Sequence, residues 1–252
     1  MLWTQAAALV VSLGIGSTRG SGNIKEETRE VGAFSGISVG NGIQATVTIA
    51  PNTSVVLRGD DNLLPMIQTE VVNGKLTAEV RSGSGISPTQ PIKLTVVTPK
   101  LTSASASGGA RLTADATAGP EFTGEASGGA KVSIKGVDSK ALVAKASGGG
   151  TLELSNIKVD SADVDGSGGA TIWLAGTVKT LKTHLSGGAG LKAQDAPVEA
   201  LRVQASGGSR VYAKASSELS AELSGGATIH LKGKNPSKRQ VDTSGGSKVY
   251  YE

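Results

Sequence analysis

Asp160, Asp163 and Asp165 form the densest group of carboxylates in the chain, with Glu153 shortly before them. Two carboxylates held at a fixed separation on one face can divide general acid and base work, as in polysaccharide-cleaving enzymes. Asp163 and Asp165 share the parity of a strand. The repeat described below, however, places Lys145 and His184, not a second acid, in the coils flanking Asp165. Charges alternating on a wet β-face produce the same pattern. The histidines His184 and His230 fall in different columns two coils apart, so a shared metal is not expected of them. The absence of cysteine removes disulfides, thiolate metal ligands, thiol nucleophiles and acylation of an N-terminal Cys.

Serine and glycine carry the next possibility. Ser-Gly-Gly begins at Ser107, Ser127, Ser147, Ser167, Ser186, Ser206, Ser224 and Ser244, in steps of 20, 20, 20, 19, 20, 18 and 20 residues. A catalytic serine would be singular, whereas these hydroxyls are equivalent and suit a hydrogen-bonding ladder. The Gly-Gly pairs precede no helix, so they are not phosphate loops. Calcium-binding glycine repeats need an Asp at a fixed offset, but Asp115, Asp138, Asp160 and Asp195 drift from eight to thirteen residues after the Ser. No cofactor or metal site is therefore expected. The net charge of +4 is spread without a basic run, which excludes a nucleic-acid footprint.

A period this regular must position whatever chemistry remains. Five residues after each Ser stand Leu112, Val132, Leu152, Ile172, Leu191, Val211, Ile229 and Val249. Seven after it stand Ala114, Ile134, Leu154, Leu174, Ala193, Ala213, Leu231 and Tyr251. The intervening positions, two before the Ser and four after it, are polar, as at Lys145, Asp165, Lys131 and Arg210. Period-two alternation therefore runs through the Ser-Gly-Gly step in one phase, the signature of strands and not of helices. Each coil reads as a strand, a bend at Gly-Gly, a second strand and a loop. The first glycine has inward parity, so a side chain there is expected to crowd the corner, while the second is expected to allow the turn. Stacked coils put like residues in columns about 4.8 Å apart and let aliphatic side chains build a core with few aromatics.

One outward column stands out. Six residues after the Ser come Thr113, Ser133, Glu153, Trp173, Lys192, Tyr212, His230 and Tyr250. Its half from Trp173 through Lys192, Tyr212 and His230 to Tyr250 is the candidate binding site, a flat row able to stack on sugar rings or dock a partner strand. The expected partner is a glycan or an envelope or surface protein. Aromatic side chains also favour strands and support one another across rungs, so the row has a purely structural reading as well.

Residues 31–100 are β-rich without the Ser-Gly-Gly step. Residues 34–39 and 43–49 alternate on either side of Asn41-Gly42, and Asn73-Gly74 supplies the two positive φ angles of a type I′ hairpin turn. Residues 60–65 read as a short or single helical turn, and 92–97 as a final strand. This part is expected to cap one end of the stack; the charged loop at residues 232–239, with Tyr250, Tyr251 and Glu252, is expected to blunt the other. At the N-terminus an apolar run at residues 6–15 is too short to span a bilayer and suits the core of an export signal within residues 1–20.

Phe34-Ser35-Gly36-Ile37-Ser38-Val39, then Asn62-Leu63-Leu64, Gly74-Lys75-Leu76, Pro91-Ile92-Lys93-Leu94 and the repeated Ala-Ser-Gly-Gly-Ala steps together resemble the bacterial head GIN domain, a family named for auto-transporter adhesins. The resemblance covers residues 31–252. It implies a right-handed β-helix-like fold, export and a role in adhesion or surface binding, and it brings no catalytic residues.

The sequence thus predicts an all-β, right-handed parallel β-solenoid of about eight coils over residues 101–252, forming one continuous domain with residues 31–100. It predicts a non-enzymatic, exported, adhesin-like or envelope-associated binding module in the periplasm, at the outer membrane or on the cell surface. A carbohydrate-active β-helix enzyme, a polysaccharide lyase or hydrolase using acids near Asp160 to Asp165, and a structural envelope spacer remain as alternatives.

Overall fold

In strand Thr151–Gly166, buried and exposed residues alternate over most of its length, because one face of the chain fills the interior while the other meets water. The same holds for Thr171–Leu185, Gly190–Ala205 and Arg210–Leu223, each pairing in parallel with the strand one coil earlier. The computed structural model describes residues 16–252, so the apolar run at residues 6–15 lies outside the described residues. Eight corners at the Ser-Gly-Gly steps bound seven full turns of a parallel β-solenoid, all within one 19-stranded sheet.

Register is kept residue for residue. Arg111 to Asp115 pair with Lys131 to Lys135, and Lys131 to Lys135 with Thr151 to Ser155. The expected inward column follows: Leu112, Val132, Leu152, Ile172, Leu191, Val211 and Ile229 are each no more than 1% exposed. Val249 in the last coil is only partly buried, and Tyr251, which shares the inward parity, is exposed, because no further coil among the described residues stacks on them. Interior residues are mostly Val, Leu, Ile and Ala, each packed on its like one rung away.

The corners differ from the expectation. The first glycine has positive φ in all eight, 57° at Gly108, 55° at Gly128 and 62° to 71° from Gly148 to Gly245, whereas the second does so only at Gly109 and Gly129. It is exposed, so no core side chain crowds it. What crowds it is the neighbouring corner: a Cβ on Gly207 would lie 2.6 Å from the Gly187 carbonyl oxygen, and one on Gly245 would lie 2.8 Å from that of Gly225. In most corners the Ser carbonyl accepts the N–H three residues on, closing a β-turn, as from Ala130 to Ser127 at 3.0 Å.

The upstream part enters the same stack. Gly36–Val39 pairs in parallel with Ser103–Ala106, and Gln44–Ile49 with Arg111–Asp115. Gly40-Asn41-Gly42 therefore occupies the Ser-Gly-Gly column as a further corner, with φ of 54° at Asn41 and 75° at Gly42. Below it Lys75–Val80 and Lys93–Thr98 form one more parallel layer. Parallel stacking stops there. Ile67–Val72 folds back on Lys75–Val80 through Asn73-Gly74, whose φ angles of 52° and 72° make the expected type I′ turn. Ser54–Asp60 runs antiparallel to both Lys93–Thr98 and Ile24–Thr28. The outer strand Ile24–Thr28 carries Lys25, Glu26 and Glu27, charges that discourage another chain from adding to this edge. At the opposite end Lys238–Thr243 is a strand, so Lys238 and Arg239 belong to the last coil and not to a loop.

Residues 60–62 hold the first described segment. Asp60 is fully buried; its carboxylate accepts from the Thr89 hydroxyl at 2.6 Å, the Thr89 N–H at 2.9 Å and the Gly22 N–H at 2.8 Å. Asn62 accepts from Ser21 N–H and donates to the Arg19 carbonyl, and Ser17–Arg19 pairs with Gly85–Ser87. A single 3₁₀ turn, Leu64–Met66, follows. The Thr89 hydroxyl above all, with backbone donors, holds Asp60 below its ordinary pKa against the opposing effect of burial.

Gly207→Ala should destabilise by at least about 1–2 kcal/mol, the cost of a left-handed non-glycine residue. Gly208→Ala, whose Cβ would find nothing nearer than 3.6 Å, should change urea stability by no more than about 0.5 kcal/mol. Equal effects would refute the assignment of the turn to the first glycine. Because the Asp60 pKa is lowered in the fold, its stabilisation is complete above the unfolded value near 3.8 and lost as pH falls through the folded value. Limited proteolysis between residues 16 and 23 should therefore remain slow at mildly acidic pH and speed up only below that range. Asp60→Asn should be cut rapidly even at neutral pH.

Candidate functional site

Parallel stacking turns every outward position into a row along the solenoid axis, so candidate sites here are columns. The predicted row forms as expected geometrically: Trp173 pairs with Lys192, Lys192 with Tyr212, Tyr212 with His230 and His230 with Tyr250. The Lys192 ammonium sits 3.8 Å from the Trp173 ring centroid. Tyr212, His230 and Tyr250 stack face to face at 4.8 and 4.7 Å, with interplanar angles of 19° and 20°. Glu252 lies 2.8 Å from His230 Nδ1. The rung spacing and the ring spacing coincide, so ring faces are engaged within the row. Trp173 and Tyr250 remain about two-fifths exposed, at 41% and 40%.

The carboxylates at Asp160 to Asp165 join rows of alternating charge. Asp160 is ion-paired with Lys179, which holds its carboxyl below the ordinary range. Glu153 is pushed up by burial, but hydrogen bonds from Lys131 at 2.7 Å and Ser133 at 2.9 Å outweigh this and lower it. A general acid at neutral pH needs the opposite shift. His184 Nδ1 lies 3.3 Å from Asp165 and 3.9 Å from Asp163. These three side chains bring potential ligand atoms within 4.8 Å of one another, close enough to share a divalent cation. In register, however, Asp165 stands opposite Lys145 and Asp163 opposite Lys182, so both carboxylates belong to rows that also carry a lysine.

A long concavity lies elsewhere. A groove of about 1120 Å³ runs along the axis from Ser38 to Ser244 on the approach to the corners. Its rim is the serine ladder. Its floor is the position before each Ser: Ala106, Ala126, Ala146, Gly166, Leu185 and Ala205, then Leu223 and Thr243. The opposite rim, two before each Ser, carries Glu125, Lys145, Asp165, His184, Gln204, Glu222 and Asp242. The groove thus offers repeated hydroxyls on one side and a mixed, predominantly acidic row on the other. Sequence reasoning identified both rims separately, as a hydroxyl ladder and a polar column. It missed the concavity between them, for which the small residues preceding most of the serines were the available signal.

No curated protein matches the chain. Several solved structures share its fold. A protein from Parabacteroides distasonis ATCC 8503 described as a "putative adhesin" is 19% identical, aligns over 94% of this chain and 100% of its own, and gives a TM-score of 0.82. A second from the same organism, described as a "putative lipid binding protein", is 19% identical over 94% and 100%, with a TM-score of 0.81. A "putative adhesin" from Bacteroides fragilis NCTC 9343 is 18% identical over 94% and 100%, at 0.71. At such identities the likeness is one of fold. The family model described as "Putative auto-transporter adhesin, head GIN domain" matches residues 33–235. With that match spanning most of the chain, and its repeats forming the solenoid just described, the protein belongs to the head GIN domain family.

Proposed function

We propose that this protein is a non-enzymatic, exported binding module of the cell envelope, and that its axial groove takes an extended, hydroxyl-rich chain of the glycan class. The observation that carries this reading is the groove itself, about 1120 Å³ in volume and continuous from Ser38 to Ser244. Its serines recur once per rung, about 4.8 Å apart, so a chain lying along the axis meets the same donor and acceptor at each step. Such multiplicity builds affinity from individually weak hydrogen bonds. The acidic rim favours neutral or cationic over polyanionic occupants. The lowered Asp160 and Glu153 support binding over hydrolysis, because neither carboxyl is held protonated at neutral pH. The family's adhesin description agrees with this reading. Among the described residues no helix is long and apolar enough to cross a membrane.

The row from Trp173 through Lys192, Tyr212 and His230 to Tyr250 is a second reading of the site, favoured by the exposure of Trp173 and Tyr250. Two variants separate the sites. Ser167→Leu/Ser186→Leu closes the groove rim with apolar bulk, and Trp173→Ala/Tyr212→Ala strips the aromatic row. Binding would be measured on an array of neutral and acidic glycans and on phospholipid vesicles, with released reducing ends assayed in parallel. The expected result is retention of neutral glycans, reduced at least about tenfold by the serine pair and unchanged by the aromatic pair. Loss with the aromatic pair alone would move the site to that row. Sugar release, vesicle binding alone or no retention would overturn the proposal.

A further inference from the structure

The Gly-Gly peptides at the corners are hydrogen-bonded to one another along the axis, and the direction of those bonds reverses once. From the fourth corner onward the second glycine N–H donates back to the first glycine carbonyl of the preceding corner: Gly169 to Gly148 at 2.7 Å, Gly188 to Gly168 at 2.8 Å, Gly208 to Gly187 at 2.6 Å and Gly226 to Gly207 at 2.8 Å. In the first corners the bonds run forward: Gly42 to Gly108 at 3.0 Å and Gly109 to Gly128 at 3.2 Å. The dihedral angles change with them. Asn41-Gly42, Gly108-Gly109 and Gly128-Gly129 have positive φ at both positions, the type I′ pattern. From Gly148 onward only the first glycine does, as in type II′. The two turn types differ by a flip of the central peptide, which exchanges the directions of its C=O and N–H.

The reversal falls between Gly129 and Gly149. On both sides the peptides are aligned head to tail with their N–H ends toward this point, so the positive ends of two dipole ladders meet there. This is the arrangement that makes a helix N-terminus attract anions, here doubled. Neither the Gly129 nor the Gly149 N–H has an acceptor among the described residues, and both residues are exposed. With rungs about 4.8 Å apart, one oxygen on the solvent side can accept from both N–H groups at about 2.9 Å.

A sequence feature marks the same place. The third corner is Ser147-Gly148-Gly149-Gly150, whereas every other Ser-Gly-Gly is followed by Ala or Ser. A Cβ on Gly150 would collide with the Ala126 carbonyl of the preceding coil, so the chain at the reversal approaches its neighbour too closely for alanine. Lys131 follows Gly129 by two residues and Lys145 precedes Gly149 by four. Glu153 engages Lys131, and Glu125 pairs in register with Lys145, so these side chains leave the local charge near balance. The attraction comes from the backbone.

We propose that the corner between Gly129 and Gly149 is an anion-binding point that takes an oxygen of a carboxylate, phosphate or sulfate group. It is separate from the groove and does not depend on what the groove binds. The test is a ¹⁵N NMR titration of the full chain with acetate, phosphate and sulfate in turn, at ionic strength held constant with chloride. Saturable shifts concentrated on the Gly129 and Gly149 amides, with Gly169 and Gly188 little changed, are the expected result. The three salts distinguish a carboxylate site from one for tetrahedral anions. Gly149→Pro removes a donor that bonds nothing in the fold and should abolish the Gly129 response, whereas Gly149→Ala keeps the N–H and the response. Uniform shifts at all corners, no saturation in the wild type, or an unchanged response in folded Gly149→Pro would overturn the proposal.

Discussion

In-register hydrogen bonding between successive coils is the constraint on which the rest of this structure depends. A strand in this stack is paired on both sides by strands about 4.8 Å away, so each residue stands against the residue one repeat earlier and one repeat later. Inward columns thereby become a continuous aliphatic core. Outward columns become rows of charge, hydroxyl or aromatic groups. A substitution is felt along its own column before anywhere else, because its nearest neighbours are its own counterparts.

The same constraint explains how the protein treats its ends and corners. At the N-terminal end parallel layers give way to antiparallel ones, with a charged outer strand and the Asp60 cluster securing the segment beneath. At the corners the chain must turn within the thickness of one rung, with another corner directly above and below. Asn41 takes the left-handed backbone in the corner at residues 40–42, but from Gly168 onward only glycine meets both that backbone and the close approach of the adjacent carbonyl. Glycine also leaves the central peptide free to face either way along the axis. This freedom allows two ladders of opposite polarity to meet at Gly129 and Gly149.

For function, the fold moves attention from single residues to rows. Asp160 is ion-paired with Lys179 on the neighbouring rung, Asp163 and Asp165 lie beside His184, and the rings from Tyr212 to Tyr250 are stacked on one another. Interactions that look like chemistry in one coil are thus part of the stacking in three. The groove beside the serine ladder offers a repeated contact to a ligand that itself repeats.

Much of this was legible in the residues. The alternation of Leu152, Leu154 and Val164 with polar neighbours fixed the inward face, since strand parity is a local property and the repeat kept it constant. Asn73-Gly74 fixed its hairpin for the same reason: two positive φ angles need those residue types. Gly40-Asn41-Gly42 was not recognised as a corner because its place depends on pairing with residues 103–115, far along the chain. Parity misled at the first glycine, which shares the inward phase yet is exposed, because the turn carries the backbone out of the strand plane. The groove and the reversal of the peptide ladder were decided only in three dimensions. The first depends on how the chain bends just before each serine, and the second on which way a glycine peptide faces its neighbour, a choice that the Ser-Gly-Gly sequence itself leaves open.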